Sequence, residues 1–126
     1  MTPRRRRQGA AEQPRARWRP PRVPGKMNGT EREFELVLRA RKQAGEVIEY
    51  EFEAFKLRYG DDFKATWTPD FMLLLADGTI ELVDVKGGGG FEPATLVKVK
   101  AIAAKFWYFR VVAEQRTRGG WHRTEF

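Results

Sequence analysis

The spacing of apolar positions changes period several times along this chain, and each change predicts a different element. Order begins near Met27. Phe34, Val37 and Leu38, continued by Arg41, recur at helical spacing, and Gly45 is a natural stop, which predicts a helix over 30–44. Asn28 or Thr30 can cap it, and Thr30 with Glu33 fits the reciprocal capping pattern. Glu31 lies one turn before Phe34 and Glu35, at the edge of the apolar face. From Val47 to Phe55 the period drops to two. Ile48, Tyr50, Phe52 and Ala54 face one way and Glu49, Glu51 and Glu53 the other, as in a half-buried strand with a solvated acidic face.

Residues 57–66 are polar, and Tyr59-Gly60-Asp61-Asp62 reads as a loop or hairpin tip. Phe71 to Leu75 is an unbroken apolar run of the kind buried on both faces of a sheet. Ala76-Asp77-Gly78 turns the chain, and Ile80 to Lys86 returns as the next strand. Four glycines, 87–90, predict a mobile flap or a plain linker. A second helix over 93–105 carries Leu96, Val99, Ile102 and Ala103 on one face, with Lys98, Lys100 and Lys105 beside them. Trp107 to Ala113 predicts a strand, Arg116–Gly120 a turn, and Trp121 to Phe126 a short last strand. Trp67 and Trp107 are expected in the core or at the rim of a site. The order helix, three strands, helix, strand predicts an α/β sandwich around a mixed sheet.

Length and charge divide the chain in two. With 126 residues there is room for one domain, over 27–126. Residues 1–26 hold eight Arg, one Lys and one Glu, and five prolines, and are expected to be a disordered arm. Such an arm is either a solubilising extension or a DNA-binding one. The net charge of +7 belongs to that arm, because residues 27–126 hold 15 basic and 16 acidic side chains. Zero cysteines exclude disulfide frameworks, zinc ribbons and thiol catalysis. A single histidine, His122, leaves little for zinc or histidine-based nuclease chemistry and is expected to be structural or merely exposed. No apolar stretch is long enough to span a membrane, no signal peptide follows the arginines, and the prolines argue against a transit helix. A cytoplasmic protein is expected.

The chemistry concentrates in Pro69-Asp70 and, after thirteen intervening residues, Asp84-Val85-Lys86. A three-residue hairpin loop normally ends on a left-handed glycine, which Gly78 supplies. Leu75 then faces Thr79, and counting back sets Asp70 across from Asp84, with Cβ atoms about 4.5–5.5 Å apart. Lys86 projects to the same face. A two-residue loop would shift that register. Adjacent carboxylates repel and raise each other's pKa unless a cation neutralises them. A hard divalent cation with oxygen ligands and retained waters suits the pair, and it can activate water against a phosphodiester.

Thr68-Pro69-Asp70-Phe71, Asp84-Val85-Lys86-Gly87 and the Thr30-Glu31 pair opening the preceding helix together resemble the PD-(D/E)XK nuclease signature. The likeness is to small phage-encoded endodeoxyribonucleases, and more distantly to Holliday-junction resolvases and transposon end-cleaving subunits. It spans about residues 28–113. The resemblance implies a restriction-endonuclease-like core, Mg²⁺ or Mn²⁺ dependence, DNA as substrate, and a homodimer. A phage-encoded member would act in the cytoplasm of a bacterial host. It makes Asp70, Asp84 and the Val85 carbonyl metal ligands, Lys86 the catalytic lysine, and Glu31 the helix acid that binds metal or its water. Glu33 and Glu35 stand close enough to compete for that last role, and Glu53 could approach from the neighbouring strand. Lys98 is a further candidate near the site. The rival reading is a catalytically silent DNA-binding subunit of a recombination or packaging assembly; an RNA-directed module is a third.

Overall fold

In the computed structural model, which describes residues 25–60 and 65–126, the first helix, α1, spans Gly29–Gln43. Its cap is Asn28. The Asn28 backbone is extended, its Oδ1 accepts from Glu31 N at 2.8 Å, and Glu31 Oε1 accepts from Asn28 N at 3.0 Å. The expected Thr30–Glu33 box is therefore displaced by Asn28–Glu31, since asparagine presents a short acceptor well suited to the exposed amides of a first turn. Gly45, at φ 82°, follows the Ala44 C-cap in the left-handed conformation that ends helices.

The next strand, β1, runs Val47–Phe52 and is shorter than its alternating sequence suggests. Glu53 at φ 47° turns the chain away, so Ala54 and Phe55 lie outside the strand. Ile48 is also not inward-facing. Pairing jumps from Val47–Leu75 to Glu49–Leu74, and the extra residue in that bulge leaves Ile48 52% exposed. Tyr50 and Phe52 do pack on the core as their spacing predicts.

The polar stretch that follows takes the hairpin form of its two expected ones. Strand β2, Leu57–Tyr59, pairs antiparallel with β3, Ala65–Trp67, as a separate small hairpin whose tip lies outside the described residues. Strands β4 (Phe71–Leu75) and β5 (Ile80–Lys86) form the expected hairpin, and helix α2 (Pro93–Lys105) leads to β6 (Arg110–Thr117) and β7 (Gly120–Glu125). The main sheet is ordered β1-β4-β5-β6-β7, with β5 and β6 parallel and every other pair antiparallel. Parallel neighbours need a crossover, and α2 supplies it.

Each face of this mixed sheet buries one helix. On one side Phe34 and Leu38 of α1 meet Phe71, Leu73, Leu75, Val83 and Val85. On the other, Val99 and Ile102 of α2 meet Leu82 and Val111, with Trp67, Leu57 and Tyr59 of the small hairpin closing the layer. The chain is thus an α/β protein with a mixed sheet flanked by helices. Among the described residues, no helix is long and apolar enough to cross a membrane. The arginine-rich arm, save Gly25 and Lys26, falls outside the described residues.

Two further features depart from what the sequence predicts. Strand β6 starts at Arg110, not Trp107, because the chain must turn after α2 before it can align beside β5. Trp107 is consequently 79% exposed, at the end of the sheet remote from Lys86, and is neither core nor rim. Trp67 is buried as expected. The second departure is a buried ion network. Glu81, 1% exposed, accepts two hydrogen bonds of 2.8 Å each from Arg123 Nη1 and Nη2, and Arg123 Nη1 also lies 3.6 Å from Glu114.

Candidate metal centre

The β4–β5 turn sets the geometry of the site. Leu75 N donates to Thr79 O and Gly78 N to Leu75 O, both at 2.9 Å, and Gly78 takes φ 86°. This is the three-residue loop with a left-handed third residue. Pairing then proceeds Leu74–Ile80, Leu73–Glu81, Met72–Leu82 and Phe71–Val83, and one further step brings Asp70 opposite Asp84. Beyond Phe71 the two strands are no longer laddered, and the Asp70 side chain takes over. Its Oδ2 accepts from Val85 N at 2.7 Å, while its backbone carbonyl accepts from Glu53 N at 2.9 Å.

Both carboxyls are almost fully buried, at 3% and 6% exposure for Asp70 and Asp84. Burial pushes the Asp84 carboxyl up to about 7, with repulsion from Asp70 adding to it and Lys86 opposing. Asp70 is also raised, first by burial and then by its contact with Glu31, while the bonds from Val85 and Asp84 pull it back. Lys86 Nζ stands 3.0 Å from Asp84 Oδ2 and 5.8 Å over the Phe91 ring. Even so, Asp84 Oδ2 is buried without a well-aligned hydrogen bond. One lysine does not neutralise this pocket.

Of the three helix acids, Glu31 is the one brought to Asp70. It is 1% exposed, and the capping bond from Asn28 N fixes its direction. Glu33 instead pairs with Arg116 at 2.9 Å and Glu35 with Arg39 at 2.6 Å, both on the outer surface. Glu53 joins the site through its backbone, and its Oε2 accepts from Gly25 N at 2.7 Å. Lys98 is half-buried on α2, and Lys105 is directed to Arg58 O at 3.3 Å. His122 is exposed on β7.

No family model matches the chain, nor does any curated protein or solved structure. The site therefore stands on its own geometry. Among the described residues no three His, Cys, Asp or Glu side chains already surround a common point at ligand spacing. Mg²⁺, however, needs only one or two carboxylates and keeps several waters. Asp70 and Asp84 offer two hard oxygen donors, and Asp84 Oδ2 is buried with the Lys86 ammonium beside it but no hydrogen bond, while burial and mutual repulsion raise Asp84. The donor set fits a hard divalent cation.

The sequence reading missed Gln115. The parallel β5–β6 register sets it beside Lys86, and a Cβ built on Gly90 would lie 3.6 Å from its Nε2. Nothing in the linear sequence marks Gln115, because its position depends on a crossover pairing between distant segments.

Proposed function

We propose that the chain is a metal-dependent endonuclease of the PD-(D/E)XK type, with a restriction-endonuclease-like core, that hydrolyses DNA phosphodiester bonds with Mg²⁺ or Mn²⁺. The observation that carries this reading is the juxtaposition of Asp70 and Asp84 at the end of the β4–β5 hairpin, buried, under-neutralised, and flanked by Lys86.

In this reading the carboxylates of Asp70 and Asp84 and the carbonyl of Val85 hold the cation, and Glu31 holds it or one of its waters. The cation, when bound, lowers the pKa of a coordinated water and offsets charge on the phosphoryl oxygens. Lys86 supports that work directly: its ammonium orients the attacking water and stabilises charge building on the phosphate in the transition state. The bond from Val85 N keeps Asp70 oriented. Phe91 beneath Lys86 restricts the lysine to the site. A homodimer would let so small a body engage enough duplex.

Cleavage of supercoiled plasmid and of a synthetic four-way junction, with Mg²⁺, with Mn²⁺ and with chelator, tests this function. Metal-dependent cutting that Asp84→Ala abolishes is the expected result, and the preferred substrate separates junction resolution from general endonuclease activity. Tight DNA binding with no cutting under either metal would leave a silent binding subunit in its place.

A further inference from the structure

We propose that the β6–β7 hairpin is a binding wall for the nucleic-acid backbone, with Gln115, Arg118 and His122 gripping the sugar-phosphate chain beside the bond that Asp84 and Lys86 face. This rests on the nuclease reading for the nature of the ligand, but its residues lie outside the metal site.

The strand register makes the case. Lys86 pairs with Gln115 across the parallel β5–β6 ladder, and Gln115 pairs with His122 across the antiparallel β6–β7 ladder. Directly paired residues share a face. Lys86, Gln115 and His122 therefore form one row, about 10 Å long over two strand spacings. The row begins at a metal-site residue and ends on an exposed imidazole. Past it, the ladder closes at Thr117–Gly120, so the hairpin tip carries the exposed Arg118 beyond the ends of β5 and the carboxylates.

The surroundings suit an anionic, extended ligand. Among the described residues the Gln115 carboxamide makes no hydrogen bond, although it is only half exposed and reaches toward Gly90. A carboxamide can donate to a phosphate oxygen and accept from a sugar hydroxyl or base, which suits a neutral contact beside a charged one. Phe91, packed on Phe126, walls the row on the α2 side. The opposite edge of the sheet is less suited to a polyanion, since β1 exposes Glu51 and a Glu49 that is already paired with Lys42. Because the folded body carries nearly balanced charge overall, this local asymmetry decides the direction in which a nucleic-acid strand leaves the site.

The test uses the full chain carrying Asp84→Asn, so that binding is read without cleavage, and a short labelled DNA at physiological salt. Gln115→Ala, Arg118→Ala and His122→Ala should each raise Kd by about three- to tenfold, the loss of one backbone contact. Arg118→Ala should also flatten the dependence of log Kd on log salt by about one ion. Glu51→Ala on the opposite edge should not weaken binding. In the cleaving protein the same three substitutions should raise KM and leave kcat within about twofold, a split that mere unfolding does not produce. Unchanged Kd and KM in all three variants would overturn the wall, as would a fall in kcat alone. Absence of cutting by the unsubstituted chain would count against the nuclease reading and leave the binding series legible. Absence of any DNA binding would overturn both.

Discussion

Asp70 Oδ2 accepts the Val85 amide at 2.7 Å, so the first carboxylate of the site is tied to the backbone between Asp84 and Lys86. This bond explains how a residue just outside β4 keeps a fixed orientation where the β4–β5 ladder has ended. It also separates structure from charge. An asparagine at position 70 can still accept from Val85 N, but it no longer repels Asp84.

Asp70→Asn is accordingly expected to fold and to melt a few degrees higher than the unsubstituted protein, by about 4 °C or more if relief of repulsion is worth about 1 kcal/mol. Cleavage should fall by about 10²-fold or more, because a carboxylate that would hold the cation is gone. Thermal melting and plasmid cleavage on the same preparation check both arms. A variant that melts lower would show that the hydrogen bond, not the repulsion, dominates at this position.

The pH dependence of stability should run against the usual carboxylate trend. Asp84 is raised from its ordinary 3.8 to about 7 in the folded protein, so between those values the folded state binds a proton that the unfolded chain does not. Stability then falls as pH climbs through that window and levels off above it. Metal-free protein should lose on the order of 2–4 kcal/mol between about pH 4.5 and pH 8 from this group. Asp84→Asn should flatten the profile, and so should saturating Mg²⁺ at the alkaline end. Denaturant melts at several pH values in chelator measure it.

Gly78 should resist substitution. At φ 86° it occupies the left-handed region, and a Cβ there meets open space, so the cost is conformational and not a clash. Gly78→Ala should destabilise by about 1–2 kcal/mol. Deleting Ala76 is a sharper probe, since a two-residue loop would move Asp70 out of line with Asp84. Activity should vanish even where circular dichroism still reports a folded sheet.

Arg123→Met should be among the most damaging single changes away from the site, because it removes both hydrogen bonds that hold the buried Glu81 carboxylate and leaves it only Arg110, 3.8 Å away. A loss of about 3 kcal/mol is expected. Pairing it with Glu81→Leu should recover much of the loss, because an apolar pair avoids desolvating either ion. Chemical denaturation of the single and double variants reads the coupling.

How much of this was legible beforehand depends on how local each feature is. Helix α1, the strands of the β4–β5 hairpin and the extent of α2 follow from periodicity over neighbouring residues. The alignment of Asp70 with Asp84 follows from one turn, since Ala76-Asp77-Gly78 admits a three-residue loop and the rest is counting. Local signals also misled. The Phe106 to Phe109 aromatic run has strand composition, yet it is the turn that lets α2 hand over to β6, and Trp107 is left in solvent. Ile48 continues an alternating pattern, yet a bulge turns it out.

The sequence alone therefore determined the elements, the hairpin register and the candidate carboxylates, because sterics and hydrogen bonding between near neighbours encode them. Only the tertiary structure decided which helix acid meets Asp70, that Gln115 stands beside Lys86, and that Glu81 is buried against Arg123. Those relations join segments far apart in the chain. They are chosen when the two faces of the sheet bury their helices together, and no local spacing carries that choice.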